Sequence, residues 1–110
     1  MSNPVDENRP VTVVHCEETM DITIAETFYS TLQSAVASEQ PIIIDASQIE
    51  RIDAAMLQMF CALFTDPVAN KHGIVWRNPS DNLIESAELM GLDNYLDLKD
   101  THEMDNSQLH

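Results

Sequence analysis

Three β-branched residues in a row, Ile42, Ile43 and Ile44, stand between Pro41 and Asp45. Such a run has no polar side to turn to water, so it reads as a strand covered on both faces, central in a sheet. The segments around it have a different period. From residue 24 to about 38 the apolar positions are Ile24, Phe28, Leu32, Ala35 and Val36. These steps of three and four place one apolar stripe along a helix. Thr23 is a candidate N-cap for it, with Glu26 at the capping-box spacing, and Glu39, Gln40 and Pro41 end it. After the triplet, residues 54–64 (AAMLQMFCALF) are strong helix formers, apolar nearly all round, and predict a well-buried helix with Asp53 as its N-cap.

The remaining segments extend the alternation. Residues 11–16 are a β-branched run and read as a first strand, and residues 20–22 read as a possible second short one. Residues 48–53 leave room for another short extended piece. Thr65, Asp66 and Pro67 interrupt the apolar helix, a further helical turn reaches Lys71, and Gly73 punctuates the chain before a strand at residues 74–76. Asn78 and Pro79 make a turn. Ser80 is then the N-cap of a last amphipathic helix carrying Leu83, Ile84, Ala87, Leu89 and Met90, and Gly91 stands where a helix C-terminus favours a left-handed residue. Helices between strands predict α/β layering with right-handed crossovers. At 110 residues the chain suits one domain. The expected organisation is a flexible polar lead-in over residues 1–9, an ordered domain over 10–98 and a flexible acidic tail over 99–110.

Composition narrows the function. Asp and Glu number 19 against 5 Lys and Arg, a formal net charge of −14. Such a chain repels nucleic-acid phosphates and anionic membrane surfaces, so the expected partners are proteins, and those with a basic patch suit it best. No apolar run approaches the roughly 20 residues of a membrane-spanning helix. The first ten residues lack the apolar core of a signal peptide, so the cytoplasm is the expected location. Cys16 and Cys61 are far apart and outside any Cys-x-x-Cys, which predicts a reduced pair.

Three pieces in order carry a family resemblance: residues 41–60 (PIIIDASQIERIDAAMLQMF), residues 74–80 (IVWRNPS) and residues 87–93 (AELMGLD). Together they resemble the STAS domain of sulfate transporters and anti-sigma factor antagonists. In that family a buried strand ends in an Asp-x-Ser type turn, and a Val/Ile-Asp-Ser-Ser/Ala-Gly-Leu motif opens a helix. A later strand ends near Asn-Pro, and a helix closes on Leu-x-Gly-Leu. The similarity spans residues 11–98. It implies a single α/β domain with a mixed sheet of about four strands and helices packed mainly on one side. It also implies a non-enzymatic, protein-binding regulatory module without a cofactor. The motif falls on Ile52, Asp53, Ala54, Ala55, Met56 and Leu57. The family's phosphorylated serine position is therefore Ala55, which has no hydroxyl, and its glycine position is Met56. Ser47, Asp53, Ala54, Ala55, Met56 and Leu57 are the expected partner-binding residues, with a thioether on the docking surface. Two partner classes follow from the resemblance. The first is an anti-sigma factor or histidine-kinase-type ATPase, making the protein a bacterial signalling adaptor, possible also in a chemotaxis or two-component pathway. The alternative is the ATPase of a phospholipid ABC transporter, with this chain as its small STAS subunit.

Other chemistry finds less support. Asp45 and Asp53 flank one connection and form a conceivable Mg²⁺ pair, but a turn cap for Asp45 and a helix cap for Asp53 explain them more simply. Ser47 and Ser80 are the hydroxyls nearest the motif, though neither occupies its acceptor position. His15, His72, His102 and His110 have no metal-ligand spacing. Gly73 and Gly91 are the only glycines, so no phosphate-cradling loop exists, and no Gly-x-Ser-x-Gly elbow supports a serine nucleophile. The set Met56, Met59, Phe60, Leu63 and Phe64 reads as core, Met90 and Leu92 as candidates for an exposed patch. Glu85, Glu88, Asp93 and Asp97 read as a solvated face, able to steer a basic partner.

Overall fold

The computed structural model describes residues 10–98. The expected lead-in and tail lie outside the described residues. Five strands and three helices follow in chain order: β1 (Thr12–His15), β2 (Thr19–Met20), α1 (Ala25–Ala37), β3 (Ile42–Asp45), β4 (Arg51–Ile52), α2 (Ala54–Thr65), β5 (Ile74–Arg77) and α3 (Asp81–Leu89). Short 3₁₀ turns at Ile22–Ile24 and Ala69–His72 lead into α1 and out of α2.

The β-branched triplet is the middle strand of a three-stranded sheet, order β1-β3-β5, parallel throughout. Its register aligns Val14, Ile44 and Trp76 in one row and Val13, Ile43 and Val75 in the next. Rows alternate between faces. Ile42 and Ile44 are buried with the helix residues Phe28, Leu32, Leu57, Phe60 and Leu83, whereas Ile43 is half-buried and Val75 exposed. The central strand is therefore covered on one face, not two. The expected mixed sheet of about four strands is also corrected. β2 and β4 pair only with each other, in a separate parallel ladder of two residues per strand. Parallel order follows from the helical crossovers, since α1 joins β1 to β3 and α2 joins β3 to β5.

Residue chemistry sets the helix boundaries. Ser80 caps α3 by accepting from the Leu83 N–H at 3.1 Å. At its other end Gly91 is left-handed (φ 71°). The Gly91 N–H then reaches the Glu88 carbonyl at 3.0 Å and the Leu92 N–H the Ala87 carbonyl at 2.8 Å, a Schellman closure. The expected capping box at Thr23 does not form. Asp21 accepts from both the amide and the hydroxyl of Thr23 and starts the 3₁₀ turn, so α1 begins later, at Ala25, without a side-chain cap. Residues 20–22 accordingly turn away after Met20 instead of continuing as a strand.

An aromatic cluster fills the helix-facing side of the sheet. Phe60 meets Phe28 edge-on with centroids 5.6 Å apart, and Trp76 lies 5.0 Å from Phe64 in a stacked arrangement. The Trp76 indole donates to the Leu96 carbonyl at 2.6 Å, which ties the segment after α3 to β5. Leu96 and Leu98 are fully buried there.

Candidate functional site at the start of α2

Asp53 organises this end of the molecule. One carboxylate oxygen accepts from the Met56 N–H at 3.0 Å, capping α2, and the other accepts from the Ile22 N–H at 3.0 Å. A single side chain thus joins the start of α2 to the turn that leads into α1. The β2–β4 ladder braces the same junction. The Glu18 carbonyl accepts from the amides of Glu50 and Arg51, and the Met20 carbonyl from that of Asp53.

The helix start divides the expected site residues. Ala54 and Ala55 are exposed on the first turn. Met56 and Leu57 are 0% and 1% exposed and belong to the core. The expectation of a thioether on the docking surface is therefore corrected. The third position of α2 turns inward, so the longer side chain at Met56 fills core space and leaves the surface unchanged. Leu57, one position further on, likewise offers no side chain to a partner. Ile22, 65% exposed, adds a large apolar side chain beside Asp53 that sequence patterning missed. Treating residues 20–22 as a strand hid it. The Asp21-x-Thr23 pattern, which favours a local turn, was the available signal.

Ser47 stands on its own support, the turn after β3. Asp45 accepts from the Ser47 amide at 3.1 Å and its hydroxyl at 2.8 Å, an Asx turn. These two bonds, the backbone one foremost, hold the Asp45 carboxyl below the usual carboxylate range, with smaller help from His15 and Arg77. His15 lies 3.4 Å away. Asp45 and Asp53 are thus each engaged by backbone amides. The turn is fixed from the far side as well, because the Ser80 hydroxyl donates to the Ile49 carbonyl at 2.7 Å. Ser80 is consequently occupied twice, as cap and as brace.

Cys16 follows β1 and is buried. That burial, with the neighbouring Asp45 charge adding to it, pushes its thiol up to about 12. Cys61, half-buried in α2, is also raised by desolvation. Both thiols are free, and neither is poised as a nucleophile. Among the described residues, no three His, Cys, Asp or Glu side chains converge as metal ligands. No helix among them is long and apolar enough to cross a membrane.

A strand, an Asx turn, a short ladder and a capped helix start, all at the C-terminal ends of parallel strands, define a small α/β module whose prominent feature is a preformed surface. The family model described as MlaB, STAS domain, matches residues 4–100, and the chain belongs to the STAS family. No curated protein and no solved structure matches it. STAS domains are regulatory or protein-interaction modules and generally not enzymes.

Proposed function

We propose that the protein is a non-enzymatic adaptor that holds a protein partner constitutively through the exposed start of α2, without a serine phospho-switch. The observation that carries this reading is Ala55. It is exposed on the first turn of α2, at the position where the family resemblance puts a phosphorylated serine, and it has no hydroxyl. A phosphate there would add nearly two negative charges beside the amide dipoles of the helix start. Nothing at Ala55 can carry that charge, so docking is set by the permanent shape of Ile22, Ala54 and Ala55, with Ser47 on the neighbouring turn.

The motif order supports an anti-sigma factor antagonist-like adaptor in bacterial signal transduction, with an anti-sigma factor or histidine-kinase-type ATPase as partner. Ala55 itself favours the second reading, a STAS subunit fixed on the ATPase of a phospholipid ABC transporter, since a permanent subunit contact needs no hydroxyl. The test is capture of the tagged protein from its native cell, followed by affinity measurement with the recovered ATPase. A histidine-kinase-like ATPase supports the adaptor, and an ABC ATPase the transporter subunit. In either case Ala55→Asp should weaken the complex at least tenfold, or about 1.4 kcal/mol, by setting a charge in the contact. Unchanged affinity for that variant would move the interface away from α2.

A further inference from the structure

Beyond this site, the far end of α3 presents an unusual surface. Leu89 is 82% exposed, Tyr95 59% and Met90 43%, three large apolar side chains within seven consecutive residues. The Schellman closure at Gly91 fixes their arrangement, because it reverses the chain directly after Leu89 and Met90. The charges carried by this stretch of the chain itself have one sign. Asp81, Glu85, Glu88, Asp93 and Asp97 all fall between Arg77 and Lys99, with no Lys or Arg among them. The last turn of α3 carries no basic residue, so the negative end of the helix dipole adds to these carboxylates.

We infer that the end of α3 is a second docking surface, and that its occupant is a basic segment of a protein partner with apolar side chains among its Lys and Arg residues. The apolar side chains would pack on Leu89, Met90 and Tyr95, while the cations meet Glu85, Asp93, Asp97 and the helix end. Charge complementarity decides the class. A nucleic acid, an anionic membrane or a second copy of this chain would meet like charge at this patch. The surface is separate from the start of α2. Ser80, which begins α3, is bonded to Ile49 beside that site, and Leu89 lies about 13 Å further along the nine-residue helix.

The test uses the full chain and three synthetic peptides. The first places Leu and Lys on opposite faces at helical spacing. The second replaces each Leu by Ser, and the third replaces each Lys by Glu. Binding is followed by backbone amide shifts in solution NMR. The first peptide should bind with shifts concentrated in residues 85–97, and its affinity should fall steeply between about 50 and about 300 mM salt. Leu89→Ser and Tyr95→Ser should each weaken it roughly tenfold while leaving the other amide shifts in place, since both side chains lie largely in solvent. Equal binding of the serine peptide would reduce the effect to bulk charge and overturn the inference. Shifts centred on residues 53–58, wild-type affinity in both variants, or the absence of any binding would overturn it as well.

Discussion

Asp53 does two jobs with two oxygens, and its substitutions should separate them. Asp53→Ala loses the α2 cap and the bond from Ile22 together, which should lower stability by about 2–3 kcal/mol in urea unfolding. Asp53→Asn keeps one carbonyl oxygen for the cap and turns an N–H donor toward Ile22, so it should fall between wild type and alanine. Equal losses would mean that the cap contributes nothing beyond the Ile22 bond, and an asparagine variant as stable as wild type would mean that the Ile22 bond contributes nothing. Asp45 gives a pH signature instead. Its carboxyl is held low in the folded chain by Ser47. A depressed folded value makes the contribution present above the ordinary aspartate range and lost as pH falls through the folded value. Ser47→Ala removes the hydroxyl but keeps the amide bond. The acid loss should then be smaller and level off at higher pH, visible in stability measured from about pH 5 down to about pH 2. A superimposable acid limb would show that the hydroxyl does not help hold the carboxylate.

At the level of elements, α2 is where sequence and structure diverge most usefully. Its existence and its Asp53 cap were legible, because an uninterrupted run of helix formers with an Asp before it admits little else. The expected burial on nearly all sides is corrected: Met56, Leu57, Phe60 and Leu63 are buried while Ala54, Ala55, Gln58, Ala62 and Thr65 are exposed. Which way its first turn faces has two readings in the sequence, with Met56 placed both in the core set and on the docking surface, and the core reading holds. Matching Met56 to a family glycine suggested surface, but helical geometry places the third residue inward once Ala54 and Ala55 face out. Restoring that glycine should therefore be costly. Met56→Gly empties a fully buried site and adds a flexible residue to a helix, a loss of about 3–5 kcal/mol by thermal or urea unfolding. A loss below about 1 kcal/mol would place the side chain outside the core. The sheet teaches a similar lesson. The Ile triplet located the central strand correctly, yet hydrophobicity alone could not tell one covered face from two. The pairing of β2 with β4 was hidden because a ladder of two residues has no periodicity to read.

For the molecule as a whole, the governing number is the net charge of −14. Carboxylates this numerous repel one another across a small domain, and the fold carries that cost at low ionic strength. Raising salt from about 10 to about 300 mM should lift the thermal midpoint by several degrees as the screening length shrinks. A midpoint that stays fixed would mean the charges are already far enough apart to ignore each other. One further consequence comes from the bond between the Trp76 indole and the Leu96 carbonyl. Trp76 is the single tryptophan of the chain, so this contact makes intrinsic fluorescence a sentinel for the last described segment. Were residues 92–98 to lift off β5 before the helices melt, emission would shift to the red while helical circular dichroism stayed flat, and the separation of the two signals would count that detachment as a folding event of its own.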